Sequence, residues 1–193
     1  MIIHGGISDA HRDQAADLYW GAFGAKLGQV LGPTPKAMRY ITRVLDGTHG
    51  ISAVDSEGRL LGVAGFKTHQ GALVGGGFGD MVAIYGTFGA MWRVALLSLL
   101  ERDVENDRFL MDGIFVAPAA RGQGVGTALL DAICEQARTR GYAEVRLDVI
   151  NTNPRARALY ERQGFRPVKT DHLGPLSWVF GFKSSTTMVR LLS

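Results

Sequence analysis

The clearest hydrophobic pattern in the chain lies in its second half. Apolar residues recur at the spacing of one helix face at Val125, Ala128, Leu129, Ala132, Ile133 and Ala137. Gly141 follows as a helix stop, and residues 144–150 then alternate apolar and polar side chains as a half-buried strand does. Asn153 and Pro154 supply an N-cap and a first-turn proline for another helix, which ends at Gly164. This half therefore predicts a helix, a strand and a helix in succession.

Shorter patterns divide the rest of the chain. A first helix follows Ser8, carries Tyr19 and Phe23, and is interrupted by Gly28, Gly32 and Pro33. The turn at residues 55–58 joins two strands in a hairpin. In all, the patterns predict seven strands, over residues 2–7, 50–54, 60–67, 109–117, 144–150, 165–170 and 186–192, and further helices over residues 36–45 and 88–100.

The segment from residue 70 to 100 differs from the rest in composition. Seven glycines lie between residues 71 and 89, and the chain is strongly apolar from Phe88 onward. Arg93 lies inside the apolar stretch, and Gly86 weakens its first half, so a membrane span is not expected. The segment predicts an inserted glycine-rich loop and helix at about residues 70–105, with the helix buried or facing a second subunit in a homodimer.

Composition narrows the class of protein. Hydrophobic residues make up 46% of the chain and the formal net charge is +3, which excludes disorder by charge excess and argues against nucleic acid as a partner. The single cysteine, Cys134, can form no internal disulfide, and no zinc or other metal site emerges. Because the first residues lack the pattern of a signal peptide, we expect a cytoplasmic protein.

A glycine-rich turn between a strand and a helix carries the main chemical signal. It reads Arg121, Gly122, Gln123, Gly124, Val125, Gly126, Thr127. Glycines let main-chain N–H groups close on phosphate oxygens, and a helix N-terminus adds roughly half a positive charge. The turn lacks the GK[ST] ending of a Walker loop and the spacing of a Rossmann fingerprint. It predicts an anion site of another kind.

This turn resembles the R/Q-x-x-G-x-G/A signature of the GNAT superfamily of N-acetyltransferases. A second resemblance follows downstream, where the family carries L-E-V, N-x-x-A, L-Y and G-F in order. The corresponding residues are Leu147, Asp148, Val149, Asn153, Ala156, Leu159, Tyr160, Gly164 and Phe165. The match is sharp over residues 109–166, whereas residues 1–68 agree only in the order of their elements, and the segment from 70 to 100 departs from the family pattern.

The resemblance implies a fold and a co-substrate. The fold would be a single mixed α/β domain (α+β type) over residues 1–193, with a mostly antiparallel seven-stranded sheet and helices on both faces. Acetyl-CoA would be the acetyl donor, with its pantetheine arm between two splayed strands and its pyrophosphate on the glycine-rich turn. The implied binding residues are Ile114, Phe115, Val116, Arg121, Gly122, Gln123, Gly124, Val125, Gly126, Thr127, Asn153 and Tyr160.

Amine acetylation by direct attack also needs proton transfer, because an alkylamine with a pKa near 10.4 is mostly protonated at pH 7. Asp112, on an otherwise apolar strand face with Ile114 and Val116, is one candidate base, and a structural role weighs equally. Asp148 is the rival, although it shares a face with Arg146 that is more simply explained as solvated. Tyr160 is the candidate acid for the departing thiolate, against a packing role.

The sequence indicates the acetyl acceptor less directly than it indicates the acetyl donor. The sequence predicts a primary amine of a small molecule or peptide, with Phe88, Met91 and Trp92 either lining an acceptor cleft that favours apolar amines or forming a dimer contact. Two other classes stay open: a non-catalytic CoA-binding regulatory or sensor domain, and a membrane-associated interaction module. Catalytic turnover separates an enzyme from the sensor domain, since a glycine-rich turn indicates cofactor binding alone.

Overall fold

The computed structural model describes residues 1–99 and 108–192 and contains one mixed sheet. Its strands are β1 (Ile2–Gly5), β2 (Gly50–Val54), β3 (Leu60–Thr68), β4 (Gly71–Ala72), β5 (Arg108–Val116), β6 (Glu144–Ile150), β7 (Arg166–His172) and β8 (Ser184–Leu191). They are ordered β1-β2-β3-β5-β6-β8-β7, and the two-residue β4 pairs with the end of β3. All pairs are antiparallel except β5 with β6. The seven predicted strands are confirmed, and β4 is an addition from the glycine-rich segment.

Helices cover both faces of this sheet, as predicted. They are α1 (Arg12–Leu31), α2 (Thr34–Val44), α3 (Phe78–Ser98), α4 (Val125–Thr139), α5 (Pro154–Arg162) and α6 (Ser177–Phe180). On one face, α4 and α5 bury a cluster that includes Leu129, Ile133 and Leu147. On the other face, α1, α2 and α3 bury a second cluster that includes Ile41 and Val63. The sheet therefore separates two cores, and every interior strand contributes to at least one.

The second half of the chain folds as its periodicity predicts. The apolar face of α4 is buried, with Leu129, Leu130 and Ile133 fully inaccessible. At the start of α5, the Asn153 side chain accepts a hydrogen bond from Ala156 N–H at 3.1 Å, with Pro154 in the first turn. Local sequence signals are sufficient to predict these helices, because the N-cap, the 3.6-residue hydrophobic period and the glycine at the helix end all agree.

The first half departs from its pattern at two helices. Of the three residues predicted to interrupt the first helix, Gly28 does not break it, because α1 continues to Leu31 and buries Leu27, Val30 and Leu31. That burial offsets the cost of about 1 kcal/mol for a glycine inside a helix. The helix ends directly before Gly32 and Pro33, as predicted. Helix α6 was not predicted at all, since only four residues form it and Phe180 is its single buried residue.

Helix α3 begins ten residues earlier than its composition predicts. The Asp80 carboxylate accepts the Gly77 N–H at 3.2 Å and caps the helix start. Gly86 has a φ of 73° and a ψ of 168°, so the axis is broken there and α3 is two helical pieces joined at a glycine. By length and composition α3 is apolar enough to cross a membrane, yet Met81 and Ala90 anchor its two pieces in the core. The predicted end of the insertion near residue 105 lies outside the described residues.

Candidate active site

Strands β5 and β6 separate at the centre of the sheet. Their parallel pairing runs from Arg108 opposite Glu144 to Leu110 opposite Arg146 and then ends, although β5 continues to Val116. The other edge of β5 stays paired with β3 as far as Val116. The main-chain groups of β5 beyond Leu110 therefore have an edge that β6 does not occupy. An extended ligand can add to such an edge as an extra strand would.

A β-bulge at Asp112 marks the point of separation. On β3, Gly65 and Phe66 are consecutive, but their partners on β5 are Gly113 and Met111, so Asp112 is the extra residue. The alternation of β5 therefore changes at this point. Ile114 and Val116 pack toward the α4 side together with Met111, and not on one face with Asp112. The predicted shared face for Asp112, Ile114 and Val116 is thus wrong, because strict alternation cannot anticipate a bulge.

The bulge presents the Asp112 carboxyl to a cavity. Its side chain is exposed to that cavity rather than to open surface. The surrounding protein raises the pKa of Asp112 by desolvation, while Lys26 and Lys67 oppose the shift through their positive charges. Tyr19 is close enough for the Asp112 charge to add to the burial that raises the pKa of its own phenol. A carboxyl group with a raised pKa beside a ligand cavity has the properties of a general base.

Asp148 lies in the same cavity lining but is held by neighbours. Thr187 donates its hydroxyl to the Asp148 carboxylate at 2.5 Å, and Arg146 approaches the other oxygen to 3.6 Å. The side chains of Arg146 and Asp148 are 14% and 17% exposed, so this strand face is mostly buried. The prediction of a solvated face was wrong because β8 packs alongside β6 and supplies Thr187. These contacts suit a structural carboxylate better than a base that must exchange protons.

Tyr160 lies between the core and the cavity. Only 5% of the residue is exposed, and it packs against Phe165 with ring centroids 6.0 Å apart. It also lines the cavity that contains Asp112 and Asp148. Burial alone raises the pKa of Tyr160, so its hydroxyl is protonated at neutral pH and available as a donor. The packing role and the acid role are therefore compatible in one side chain.

Asn153 joins the same cavity at the start of α5. Its amide oxygen is engaged by the Ala156 N–H, which confirms the predicted N-cap. The residue is otherwise exposed and lines the cavity beside Tyr160. Because the cap uses only the oxygen, the side-chain NH₂ of Asn153 keeps its two donors for a ligand.

The glycine-rich turn has the geometry of an anion cradle. Gly122 and Gly124 have φ values of +79° and +80°, and a Cβ at either position would meet open space. The first hydrogen bond of α4 runs from Ala128 N–H to Gly124 O, which leaves the N–H groups of residues 125–127 without partners inside the helix. At Gly126 a Cβ would come within 3.2 Å of Leu159, so this glycine sets the approach of α4 to α5.

The side chains of the turn fold back on the loop. Gln123 donates its amide to Ala119 O at 2.8 Å, and Arg121 donates to Val116 O at 3.4 Å. Both residues are exposed, whereas Val125 is buried beneath the turn. The main-chain amides of this turn are therefore the groups that an anion could contact. The Arg121 side chain lies on the same turn and adds positive charge there.

One cavity of about 630 Å³ connects the separated strands to the side of the sheet covered by α1 and α3. Its lining joins Asp112, Asp148, Asn153 and Tyr160 with groups from the first half of the chain that sequence analysis did not single out. Those groups are Tyr19, Phe23, Lys26, Lys67 and Thr68, and Phe182 joins them from the last part of the chain. A volume of this size suits a small ligand.

One local signal for this part of the cavity was present in the chain. A glycine within a strand indicates a close approach, and a Cβ at Gly113 would lie 2.6 Å from Phe23. Phe23 in turn packs against Tyr19 and Phe115, with ring centroids 4.8 Å and 6.1 Å away. The glycine predicts that something approaches β5, but only the tertiary structure identifies α1 as the partner.

Helix α3 contributes to the cavity through different residues from those predicted. Phe88, Met91 and Trp92 do not line it, and their exposed fractions are 87%, 56% and 43%. The lining from this helix consists instead of Met81, Val94, Leu97 and Ser98. The prediction failed because the face of the second helical piece that lines the cavity carries Val94, Leu97 and Ser98, and apolar composition alone does not indicate which face that is.

A second, more open groove of about 910 Å³ runs along the other end of the molecule. It is lined by β1, by residues 46–48 and by Arg140 at the end of α4. None of Asp112, Asp148, Asn153 or Tyr160 lies in it. We therefore place the candidate site in the smaller cavity, where the titratable groups and the separated strands coincide.

The open sheet, the separated parallel strands and the glycine-rich turn together define an acetyltransferase fold. A GCN5-related N-acetyltransferase from Kribbella flavida superposes with a TM-score of 0.63 at 18% identity, covering 99% of this chain and 97% of that structure. The Acetyltransferase (GNAT) family model matches residues 12–165. The chain belongs to the GNAT family, which confirms the resemblance, the fold class and the order of elements.

Shorter segments match individual relatives. Mycothiol acetyltransferase of Beutenbergia cavernae is 51% identical over 53 residues, 28% of this chain and 18% of that protein. Streptothricin acetyltransferase of Streptomyces lavendulae is 40% identical over 60 residues, 31% of this chain and 32% of that protein. The chain thus spans about a third or less of the length of these two relatives. They establish similarity to acetyltransferases and leave the acceptor to be argued from the site.

Proposed function

We propose that this protein transfers the acetyl group of acetyl-CoA to a primary amine of a small molecule or peptide by direct attack in a ternary complex. The observation that carries the proposal is that one cavity joins the free edge of β5, the bulged Asp112 and the hydroxyl-bearing Tyr160. Donor, base and acid positions of an acyl transfer are thereby within one site. The relatives named above, which are acetyltransferases of small molecules by their names, support the class of reaction.

The residues present fit the proposed co-substrate. The unpaired edge of β5 at Ile114, Phe115 and Val116 suits the amide groups of a pantetheine arm, and Asn153 offers a side-chain donor beside it. The open cradle at residues 121–127 suits a pyrophosphate, since a side chain at Gly122 or Gly124 would occupy that space. Acetyl-CoA supplies the acetyl group as a thioester, so acyl transfer needs no metal in this proposal.

Asp112 acts as the general base in this proposal. Transfer forms a C–N bond and breaks the C–S bond, and the attacking nitrogen must lose a proton. The Asp112 carboxylate faces the cavity, and its raised pKa makes it a better proton acceptor than an ordinary surface carboxylate. Asp148 is the weaker candidate because Thr187 and Arg146 already occupy its oxygens.

Tyr160 acts as the general acid. Its hydroxyl, which burial keeps protonated, would donate a hydrogen bond to the departing sulfur and then pass it the proton. Starting from the ammonium form, the nitrogen loses two protons, one to Asp112 before attack and one to water after it, and Tyr160 gives one proton to the thiolate. Asp112 then returns its proton to Tyr160 through the solvent, so that one proton is released in each turnover. We place this reaction in the reducing cytoplasm, where the buried, unpaired Cys134 is not at risk of oxidation.

Free-thiol release from acetyl-CoA, measured against a panel of amines, tests the proposal. We expect amine-dependent release of CoA, together with one-to-one binding of acetyl-CoA by calorimetry. Acetyl-CoA binding without turnover on any amine would replace the enzyme with a non-catalytic CoA-binding sensor domain. Absence of acetyl-CoA binding would remove the cofactor assignment as well.

A further inference from the structure

The acceptor side of the cavity has a wall of unusual composition. Helix α1 contributes Tyr19, Phe23 and Leu27, whose rings and methyl groups face the space in front of Asp112. Helix α3 contributes Val94 and Leu97 on the other side. The space in front of Asp112 therefore has one wall of apolar and aromatic side chains, which bind apolar ligand surface, while Lys26, Lys67 and Thr68 are among the polar groups that line the rest of the cavity.

This apolar wall continues from the cavity to the surface of the protein. Leu97 is half-buried, whereas Val94, one turn earlier on α3, is 36% exposed and still lines the cavity. Met91, a further turn toward the start of the helix, is 56% exposed on the same side. Met91, Val94 and Leu97 thus form one apolar strip, which we call the mouth strip, leading inward along α3.

The charged groups of the cavity do not favour a polycationic ligand. Asp112 lies near Lys26 and Lys67, whose positive charges act on it. Asp148 is already in contact with Arg146. A ligand with several amino groups would bring additional positive charge toward these side chains, whereas a ligand with one amino group needs only one carboxylate.

We infer that the acceptor is an amphiphilic monoamine, with its amino group at Asp112 and its apolar part against the mouth strip. This inference rests on the proposed acetyl transfer and names the substrate class of that same site. The mouth strip is continuous with the cavity, so its occupant is the ligand that also reaches Asp112. A second copy of the chain could bury an exposed strip, but it would not account for an apolar wall that continues inside the cavity.

The test compares acetylation of 2-phenylethylamine, glycinamide and spermidine by the full-length protein. We expect the highest kcat/KM for 2-phenylethylamine, by roughly tenfold or more, which is the factor expected for apolar groups in a hydrophobic pocket. Val94→Asp places a charge on the mouth strip at a position exposed enough to spare the fold. This variant should raise the KM for 2-phenylethylamine about tenfold relative to the KM for glycinamide.

Phe88→Asp is the matched control, since Phe88 is an exposed apolar residue of the same helix that does not line the cavity. It should leave all three amines unaffected. Equal or better use of spermidine or glycinamide by the parent protein would overturn the inference while leaving acetyl transfer intact. Failure to acetylate any amine, with acetyl-CoA still bound, would instead sink the proposed function.

Sedimentation velocity on the same proteins tests whether the mouth strip is instead a contact between subunits. A parent dimer that Val94→Asp converts to a monomer, with an equal loss of activity on every amine, would assign the mouth strip to subunit contact and overturn the inference. An unchanged mass with a loss confined to 2-phenylethylamine supports it. Circular dichroism and melting temperature confirm that each variant is folded before its kinetics are compared.

Discussion

The two halves of the candidate site are built from different parts of the polypeptide. From β5 to α5 the available groups are largely main-chain ones: the free edge of a strand, the amides of a glycine-rich turn and the start of a helix. From α1 to α3 they are largely side chains, among them Tyr19, Phe23 and Leu97. The part of the site built from β5 to α5 suits a ligand that is the same throughout a family. The part built from α1 to α3 suits a ligand that varies.

This difference has a physical origin. Main-chain groups keep their positions when side chains change, so a site made of them depends on a few glycines and one bulge. A cavity wall made of side chains changes with every substitution. We expect substitutions between β5 and α5 to abolish binding or chemistry on all acceptors. Substitutions in the cavity wall formed by α1 and α3 should instead change which acceptor is used.

Tyr160→Phe should have the largest effect. Removing the hydroxyl while keeping the ring should lower kcat by about 10²–10⁴, the usual range for general acid catalysis, with acetyl-CoA affinity and melting temperature preserved. The loss should be the same for every amine. A kcat close to that of the parent, or a loss that tracks a lower melting temperature, would assign Tyr160 to packing against Phe165 alone.

Asp112→Asn should lower kcat/KM by about a hundredfold at the acidic end of the range in which the carboxylate is ionised, where the amine most needs a base. The deficit should shrink as pH rises and the amine loses its proton unaided. Asp148→Asn is the comparison. It should lower the melting temperature by releasing Arg146, without changing the shape of the pH profile. The opposite pattern would exchange the two roles.

Asp112→Asn should also change how the stability of the folded protein depends on pH. The folded protein raises the pKa of Asp112 above its unfolded value, so the folded state disfavours the ionised carboxylate. The contribution of Asp112 to stability is therefore highest below its unfolded pKa of about 3.9 and is lost as pH rises through the folded pKa. Asp112→Asn should remove this loss and raise the melting temperature at neutral pH. A lower melting temperature at neutral pH would indicate that Asp112 is structural.

Gly124→Glu should weaken acetyl-CoA binding by tenfold or more without changing acceptor preference. The side chain would enter the open cradle and place a negative charge where the pyrophosphate is proposed to bind. Gly141→Glu is a matched control, because Gly141 has the same φ of +80° and open surroundings at the other end of α4. Calorimetry that finds both variants binding acetyl-CoA like the parent would remove the cradle assignment.

Trp92→Ala should have the smallest effect on activity, because Trp92 is outside the cavity. We expect KM values for amine and acetyl-CoA to change less than about twofold, and stability to fall by about 1 kcal/mol or less as the contact with the Arg93 guanidinium is lost. Sedimentation mass is the second measurement. A dimer that becomes a monomer would place a subunit contact on this helix, and a large rise in acceptor KM would return Trp92 to the cavity.

Several features of the fold could be predicted because their signals are local. The α4 helix follows from a 3.6-residue period, the start of α5 from Asn153 and Pro154, and the glycine-rich turn from its spacing. The residues of the glycine-rich turn were predicted as an anion site from this spacing, and Tyr160 was predicted as an acid from the resemblance to the family motif. By contrast, the direction of Asp112 depends on a bulge that appears only when β5 pairs with β3. The buried state of Asp148 depends on Thr187 from a strand 39 residues away.

By itself the sequence determined the class of fold, the cofactor-type turn and the likeness to acetyltransferases, since these depend on residues a few positions apart. The tertiary structure decided which of the two carboxyl groups in the cavity is held by neighbouring side chains, which residues of α3 line the cavity, and that α1 closes one side of it. Those features depend on where distant elements pack and on how a bulge turns side chains. Hydrophobic periodicity indicates that a face is buried but not what lies against it. The side of the cavity formed by α1 and α3 consists of contacts between such faces.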